Sequence, residues 1–333
     1  MDKFGFIVHP IDVDQIHTYW PITRFLPETV IEVALVHIRP FIVSHIKSIR
    51  SITGKEIEGF LLGCPLLPKQ ILNLKEETVL SKIIETGRIG EKLGAKILGL
   101  GGYTSIVADK GVKVSNNLKM AVTSGNALTS WSVVEAIYQV ANAKNMNLKN
   151  ASLTVIGATG SIGSLCSKKM SKHVSSITIT ARHREKLEKL KQEIRETSTI
   201  DVIIKDDVHE AIKEADIIIT TTSTPEALID IKELKPNSIA CDVSVPKNIA
   251  NKINLRRDVT VINGGLIKLP YPTALGTYIG LPKDTVYACM AEAMLLTLEE
   301  KFVNFSLGDN INLEKLNEIS NMANKHGFKV CIS

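Results

Sequence analysis

Leu153-Thr154-Val155-Ile156-Gly157-Ala158-Thr159-Gly160-Ser161-Ile162-Gly163 joins a short apolar, β-prone run to three glycines spaced by three, and then to a helical apolar pattern continued by Leu165 and Cys166. A glycine turn between a strand and a helix lets backbone N–H groups approach a pyrophosphate, which gains further from the positive end of the helix. The bracketing strand and helix favour nucleotide binding over a merely structural tight turn, which a bare glycine pattern would not. The candidate cofactor cradle is therefore Gly157, Ala158, Thr159, Gly160, Ser161, Ile162 and Gly163.

Downstream, β-branched runs alternate with amphipathic helical patterns, as in a parallel sheet covered by helices. Strands are predicted at Leu153–Ile156, Ile177–Thr180, Val202–Ile204, Ile217–Thr220, Ile239–Asp242 and Val259–Ile262, the number in a complete dinucleotide fold. Between them, Leu187, Leu190 and Ile194 fall on one face of a lysine-rich helix beginning at Arg184. The second strand ends Thr180-Ala181-Arg182-His183-Arg184, with no acid before Glu185. An acid there would accept from a ribose hydroxyl, whereas Arg182 suits a 2′-phosphate, so NADPH is expected; the alternative is an exposed arginine at a helix start. Thr221, the run Asp242-Val243-Ser244-Val245-Pro246-Lys247-Asn248, and Asn263-Gly264-Gly265 lie at carboxyl ends of strands, where such sheets bind ligands. From these, Thr221, Val243, Asn263 and Gly264 join the cofactor candidates.

Upstream the pattern is less regular. Phe41–Ser51 and Ile57–Gly63 flank Thr53-Gly54-Lys55-Glu56 as a hairpin, Lys75–Leu93 is predicted helical, and Ala95–Leu100 is predicted to be a strand. Two loops follow, Gly101-Gly102-Tyr103-Thr104-Ser105 and Thr123-Ser124-Gly125-Asn126, and then a helix from about Ala127 to Lys144. The 333 residues exceed what one hydrophobic core usually supports. The fold class expected is α/β: a doubly wound parallel Rossmann sheet plus a smaller α/β domain built from the N-terminal half and C-terminal helices. Residues 1–150 form the expected substrate domain and 151–270 the cofactor domain. Residues 271–333 are the expected C-terminal helices, carrying Cys289 and packing back on the substrate domain.

Bulk properties exclude several classes. An aromatic share of 5% argues against a stacking surface for single-stranded nucleic acid, and a formal charge of +5 is mild for this length. Five dispersed cysteines with no CxxC pair give no disulfide framework or zinc knuckle. No leader-like N-terminus and no long apolar run occur, so a cytoplasmic location is expected, without excluding transient contact with a membrane surface. The eight histidines form no HxxxH or HExxH cluster, so no metal site is expected. No tyrosine has a lysine four residues on, which removes short-chain-dehydrogenase chemistry.

Cys289 lies in Asp284-Thr285-Val286-Tyr287-Ala288-Cys289-Met290-Ala291-Glu292-Ala293-Met294, where Asp284 is placed to cap a largely apolar helix. A cysteine on such a face is commonly a small buried hydrophobe. Near a helix N-terminus it is also a candidate thiolate nucleophile.

Taken jointly, Leu100-Gly-Gly-Tyr-Thr-Ser-Ile106, Thr123-Ser-Gly-Asn126, Val155–Gly163, Thr180-Ala-Arg182, Pro246-Lys-Asn248, Asn263-Gly-Gly265, Ala288–Leu296 and Asn304-Phe-Ser306 resemble the long-chain acyl-[acyl-carrier-protein] reductases over almost the whole chain. The resemblance implies NADPH-dependent reduction of an acyl thioester to a fatty aldehyde, with Cys289 as acyl acceptor. Ser105, Ser124 or Asn126 would position the carbonyl. Acyl carrier protein or coenzyme A would deliver the acyl group, with Lys168, Lys169, Lys172, Arg184, Lys186 and Lys189 attracting an acidic carrier. Two other readings remain open: an NADP-dependent dehydrogenase of a small amino or hydroxy acid, with Cys289 as core, and a non-catalytic NADPH-binding sensor.

Overall fold

The computed structural model describes residues 1–222, 229–244, 247–249, 256–309 and 311–332. Val245 and Pro246, part of the Asp242–Asn248 run, lie outside the described residues. The chain divides into two compact units: Met1–Gly125 with Lys268–Asn310 and Asn321–Lys329, and Asn126–Ile267 with Ile311–Ser320 and Val330–Ser333.

The first unit begins with β1 (Lys3–Val8), α1 (Val13–Tyr19), α2 (Glu28–His37), the antiparallel pair β2 (Phe41–Arg50) and β3 (Glu56–Gly63), and α3 (Pro68–Asn73). It continues through α4 (Glu76–Lys92), β4 (Ile97–Leu100), a 3₁₀ turn at Gly102–Ser105, α5 (Val112–Ser115) and β5 (Ala121–Thr123). The five strands order as β2-β3-β1-β4-β5, with β1 parallel to both β3 and β4. Alternation along a strand splits the apolar residues between two faces. Ile7, Phe60, Leu62, Leu98 and Leu100 cluster with Val79 and Ile83 of α4. The registered partners Phe6, Leu61 and Gly99 face the other way.

The second unit carries α6 (Asn126–Ala143), β6 (Ser152–Ile156), α7 (Ser161–Met170), β7 (Ser176–Thr180), α8 (Arg184–Arg195), β8 (Asp201–Ile204), α9 (Val208–Ile212), β9 (Ile217–Thr220), β10 (Ile239–Asp242) and β11 (Thr260–Asn263). Its six strands order as β11-β10-β9-β6-β7-β8, and every pair is parallel. This is the doubly wound order of dinucleotide-binding sheets, with its reversal between β6 and β9. All six strands predicted from sequence are present. Leu187, Leu190 and Ile194 of α8 are buried in the core of this unit, as their spacing requires.

The chain ends with β12 (Leu266–Lys268), β13 (Thr285–Tyr287), α10 (Ala288–Leu298), α11 (Leu313–His326) and β14 (Lys329–Val330). In the first unit α10 packs on β4 and β1. A Cβ on Gly99 would meet Ala293 of α10 at 3.2 Å, so α10 covers the face opposite α4. The expected N-cap is corrected here: a strand separates Asp284 from the helix, and Tyr287 holds the cap position without a side-chain bond. Asp284 instead has φ +59 and accepts the Thr273 N–H at 3.0 Å, fastening the preceding loop.

Candidate active site

In the second unit the glycine turn meets the geometric demands of a pyrophosphate cradle. Gly157 has φ +77, a left-handed conformation that glycine adopts without a steric cost. Its N–H donates to the Thr180 carbonyl at 2.9 Å, and Ala158 donates to the same oxygen at 3.2 Å, which pins the turn to the neighbouring strand. A Cβ on Gly163 would lie 2.5 Å from the Gly157 carbonyl and 2.8 Å from Thr221 Oγ1, so only glycine lets α7 approach this closely. No side chain caps α7 beyond Gly160, which leaves its first-turn N–H groups at Ser161, Ile162 and Gly163 for an anion. Thr221, just beyond β9, donates through Oγ1 to the Ile156 and Gly157 carbonyls at 3.1 and 3.2 Å. It sits at the point where the strand order reverses.

Arg182 is exposed directly beyond β7, while Arg184 is engaged with Asp206 at 2.7 Å and Glu188 at 3.6 Å. Asp242 is buried and shapes the turn after β10 by accepting N–H groups from Ser244, Asn248 and Ile249 at 2.8–3.0 Å. A Cβ on Gly264 would fall 2.8 Å from Cys241 Sγ and 2.9 Å from Val243, so this glycine answers to packing within the unit. Asn263 is the last residue of β11. These features fit a nicotinamide dinucleotide.

The first unit gathers residues far apart in sequence around Cys289. The cysteine is the second residue of α10 and is partly exposed, whereas Cys64, Cys166 and Cys241 are fully buried. Gly125, with φ +76, presses so close that a Cβ there would lie 2.1 Å from Cys289 Cα. Asn304-Phe305-Ser306 runs beside β5, the Phe305 N–H donating to the Val122 carbonyl at 3.0 Å and Asn304 Oδ1 accepting the Val122 N–H at 2.9 Å. Ser124 Oγ donates to the Ser306 carbonyl. Ser105 Oγ donates to the Gly102 carbonyl at 2.7 Å, so both candidate hydroxyls are engaged with backbone oxygens. Asn126 opens α6 and belongs to the other unit.

The expected thiolate needs correction. Desolvation pushes the Cys289 thiol up to about 12, outweighing the N–H groups of Met290, Cys289 and Gly102 that act in the opposite direction, and the nearby Glu292 adds to the rise. The resting site therefore holds a neutral thiol. Even so, Cys289 differs in kind from Cys166, whose sulfur donates to the Ser130 carbonyl at 3.7 Å as a buried hydrophobe would. At Cys289 the backbone N–H groups of Met290, Cys289 and Gly102 favour the charged form, whereas at Cys166 the one group acting that way is the Ser130 contact.

Two groups near this site carry no sequence motif. Glu292, fully buried one turn along α10, accepts from Thr123 Oγ1. His9, one residue beyond β1, accepts the Tyr103 N–H at 3.0 Å. Elsewhere in the unit, Ser51 Oγ lies 2.6 Å from His326 Nδ1, and His326 Nε2 lies 2.5 Å from Glu299. That trio is in hydrolase order, but Ser51 is 2% exposed, and the network serves to tie the hairpin turn to the ends of two helices.

The sheet order and glycine cradle are those of an NAD(P)-dependent oxidoreductase. Residues 139–264 match the shikimate / quinate 5-dehydrogenase family. The resemblance read in the sequence is borne out: the chain is 29% identical to the long-chain acyl-[acyl-carrier-protein] reductase of Synechococcus elongatus, covering 87% of both proteins. It is also 28% identical to the aminotransferase PigE of a Serratia species over 98% of this chain, spanning 39% of that larger protein. Among solved structures, the L-tryptophan dehydrogenase of Nostoc punctiforme aligns at 12% identity over 98% of this chain and 80% of that one, with a TM-score of 0.45. Among the described residues, no helix is long and apolar enough to cross a membrane.

Proposed function

We propose that the protein reduces a long-chain acyl thioester to a fatty aldehyde through an acyl group carried on Cys289. The observation that carries this reading is the place of Cys289, a partly exposed residue near the start of α10 whose thiol is approached by the N–H groups of Met290, Cys289 and Gly102. In the first step a bond forms between Sγ and the acyl carbon, the carbon–sulfur bond to the carrier breaks, and the thiol proton ends on the departing carrier sulfur. One thioester replaces another, so the acyl group stays activated. The surrounding N–H groups stabilise negative charge as the thiol proton leaves. NADPH, when bound, supplies the hydride to the acyl carbon, the bond from that carbon to Sγ breaks to release the aldehyde, and a proton from water returns to the Cys289 sulfur.

The delivering group is a phosphopantetheine thioester, borne by acyl carrier protein or by coenzyme A. Steering of an acidic carrier has less charge to draw on than the sequence suggests. Lys168 pairs with Glu193 at 2.8 Å, Lys189 approaches the same carboxylate at 4.0 Å, and Arg184 is already engaged, leaving Lys169, Lys172 and Lys186. Residues 1–125 and α10 form the acyl-binding part in this reading.

The direct test is intact mass after incubation with a long-chain acyl thioester in the absence of NADPH. A mass gain of one acyl group, discharged as aldehyde when NADPH is added, is the expected result. No adduct with either carrier form, combined with turnover of a small amino or hydroxy acid, would replace this reading with the dehydrogenase alternative. Binding of NADPH without any turnover would indicate a sensor.

NADPH preference rests on Arg182. Arg182→Ala should weaken NADPH by about 1.5–3 kcal/mol, the scale of a charge-assisted bond, and leave NADH nearly unchanged. Titration of both cofactors checks it, and equal losses would remove Arg182 from the phosphate site.

A further inference from the structure

The backbone of the Gly101–Ser105 turn is held against the end of β1. A Cβ on Gly101 would lie 2.3 Å from the Ile7 carbonyl, and one on Gly102, at φ +54, would lie 2.6 Å from His9 Nε2. His9 Nδ1 donates to the Pro10 carbonyl at 3.0 Å, which makes Nε2 the acceptor, and Nε2 receives the Tyr103 N–H at 3.0 Å. The two rings meet edge to face at 5.9 Å. Burial holds His9 below the ordinary imidazole range, so the neutral, accepting form persists.

The turn's own bonds, from Thr104 and Ser105 hydroxyls to the Gly101 and Gly102 carbonyls, fix its shape. They do not fix its distance from Cys289. Both neighbours of the turn pack against α10: β4, from which the turn continues, and β1, whose chain runs on directly into His9.

Building on the acyl-transfer reading, we propose that His9 is a positioning residue, whose Nε2 holds the Tyr103 N–H and thereby keeps the adjoining Gly102 N–H beside Cys289. It touches neither the sulfur nor the acyl group. Its contribution is to hold a backbone donor in register, where a shift of about 1 Å can cost on the order of 100-fold in rate. The acceptor lone pair does the holding, so any side chain placing an acceptor there should substitute.

Three variants in the full-length protein test this. His9→Phe keeps a ring of similar size and lacks the acceptor; His9→Gln can place Oε1 near the position of Nε2. Two rates are read at one fixed pH: iodoacetamide alkylation of Cys289, located by peptide mapping, and single-turnover acylation. Both should fall roughly 10- to 100-fold in His9→Phe and return to within about threefold of wild type in His9→Gln, with NADPH affinity and Cys331 alkylation unchanged. If His9→Phe fails to fold, His9→Asn, whose shorter amide does not reach the Tyr103 N–H, carries the same expectation. Wild-type rates in the acceptor-less variant, or equal losses in His9→Gln, overturn the proposal. Alkylation does not depend on the acyl substrate, so an enzyme that accepts no thioester would refute the acyl reading and still report on His9.

Discussion

Cys289→Ala is expected to lower aldehyde formation by roughly three orders of magnitude or more, because no other group near the site can carry the acyl chain as a thioester. NADPH affinity should change by less than about twofold, since the cradle lies in the other unit. Cys289→Ser should form an unreactive ester or no adduct, because an oxygen ester yields poorly to hydride. Cys166→Ala is the internal control: its sulfur is fully buried and donates to a carbonyl, so its loss should lower stability and leave acyl transfer in place. Single-turnover acylation with peptide mapping reads all three. Aldehyde produced at the wild-type rate by Cys289→Ala would falsify the mechanism and return the residue to a packing role.

The second large effect is expected from one methyl group. Gly125→Ala places a Cβ 2.1 Å from Cys289 Cα and 2.3 Å from its Cβ, distances at which the backbone of one segment has to move. The left-handed φ of +76 adds about 1–2 kcal/mol of strain. Displacement of the start of α10 moves the thiol relative to its donors, and aldehyde formation should drop about 100-fold or more while NADPH binding persists. Gly54→Ala separates the two causes: it has φ +84 and nothing within 4 Å, so it carries strain without a clash. Rates and thermal unfolding of the pair decide the matter. A folded Gly125→Ala enzyme with wild-type turnover would mean that Cys289 is not held as described.

Most of the dinucleotide unit was legible in the sequence for a physical reason. Parallel strands buried on both faces read as unbroken runs such as Ile217–Thr220, and α8 shows its buried stripe against a charged background. The β2–β3 hairpin was legible from its Thr53–Glu56 turn, where Gly54 takes the left-handed conformation. What escaped was set by non-local partners. Strand β1 lies at the centre of its sheet only because β3 and β4 flank it, and β5 has three residues, too few to show a period. The same division runs through the site. Cys289 and the glycines stand in motifs, and Glu292 follows Cys289 by one helical turn, but His9 is a lone histidine brought to the Gly101–Ser105 turn by topology alone. Asp284 misled because a capping residue type before an apolar run does not reveal the short strand β13 between them.

The route of the chain through the first unit bears on how the protein is made. Synthesis delivers β1 to β5 early, yet the helix that covers Phe6, Leu61 and Gly99 is supplied only after the entire six-stranded unit has emerged. At about 5–20 residues per second, the nascent chain waits on the order of ten seconds with that apolar face uncovered. The six strands of the intervening unit are contiguous in sequence and can pair before α10 emerges, while the sheet of the first unit awaits a distant segment. A message truncated before Lys268 therefore yields β1 to β5 without the helix that covers Phe6, Leu61 and Gly99, an aggregation-prone sheet that also lacks Cys289.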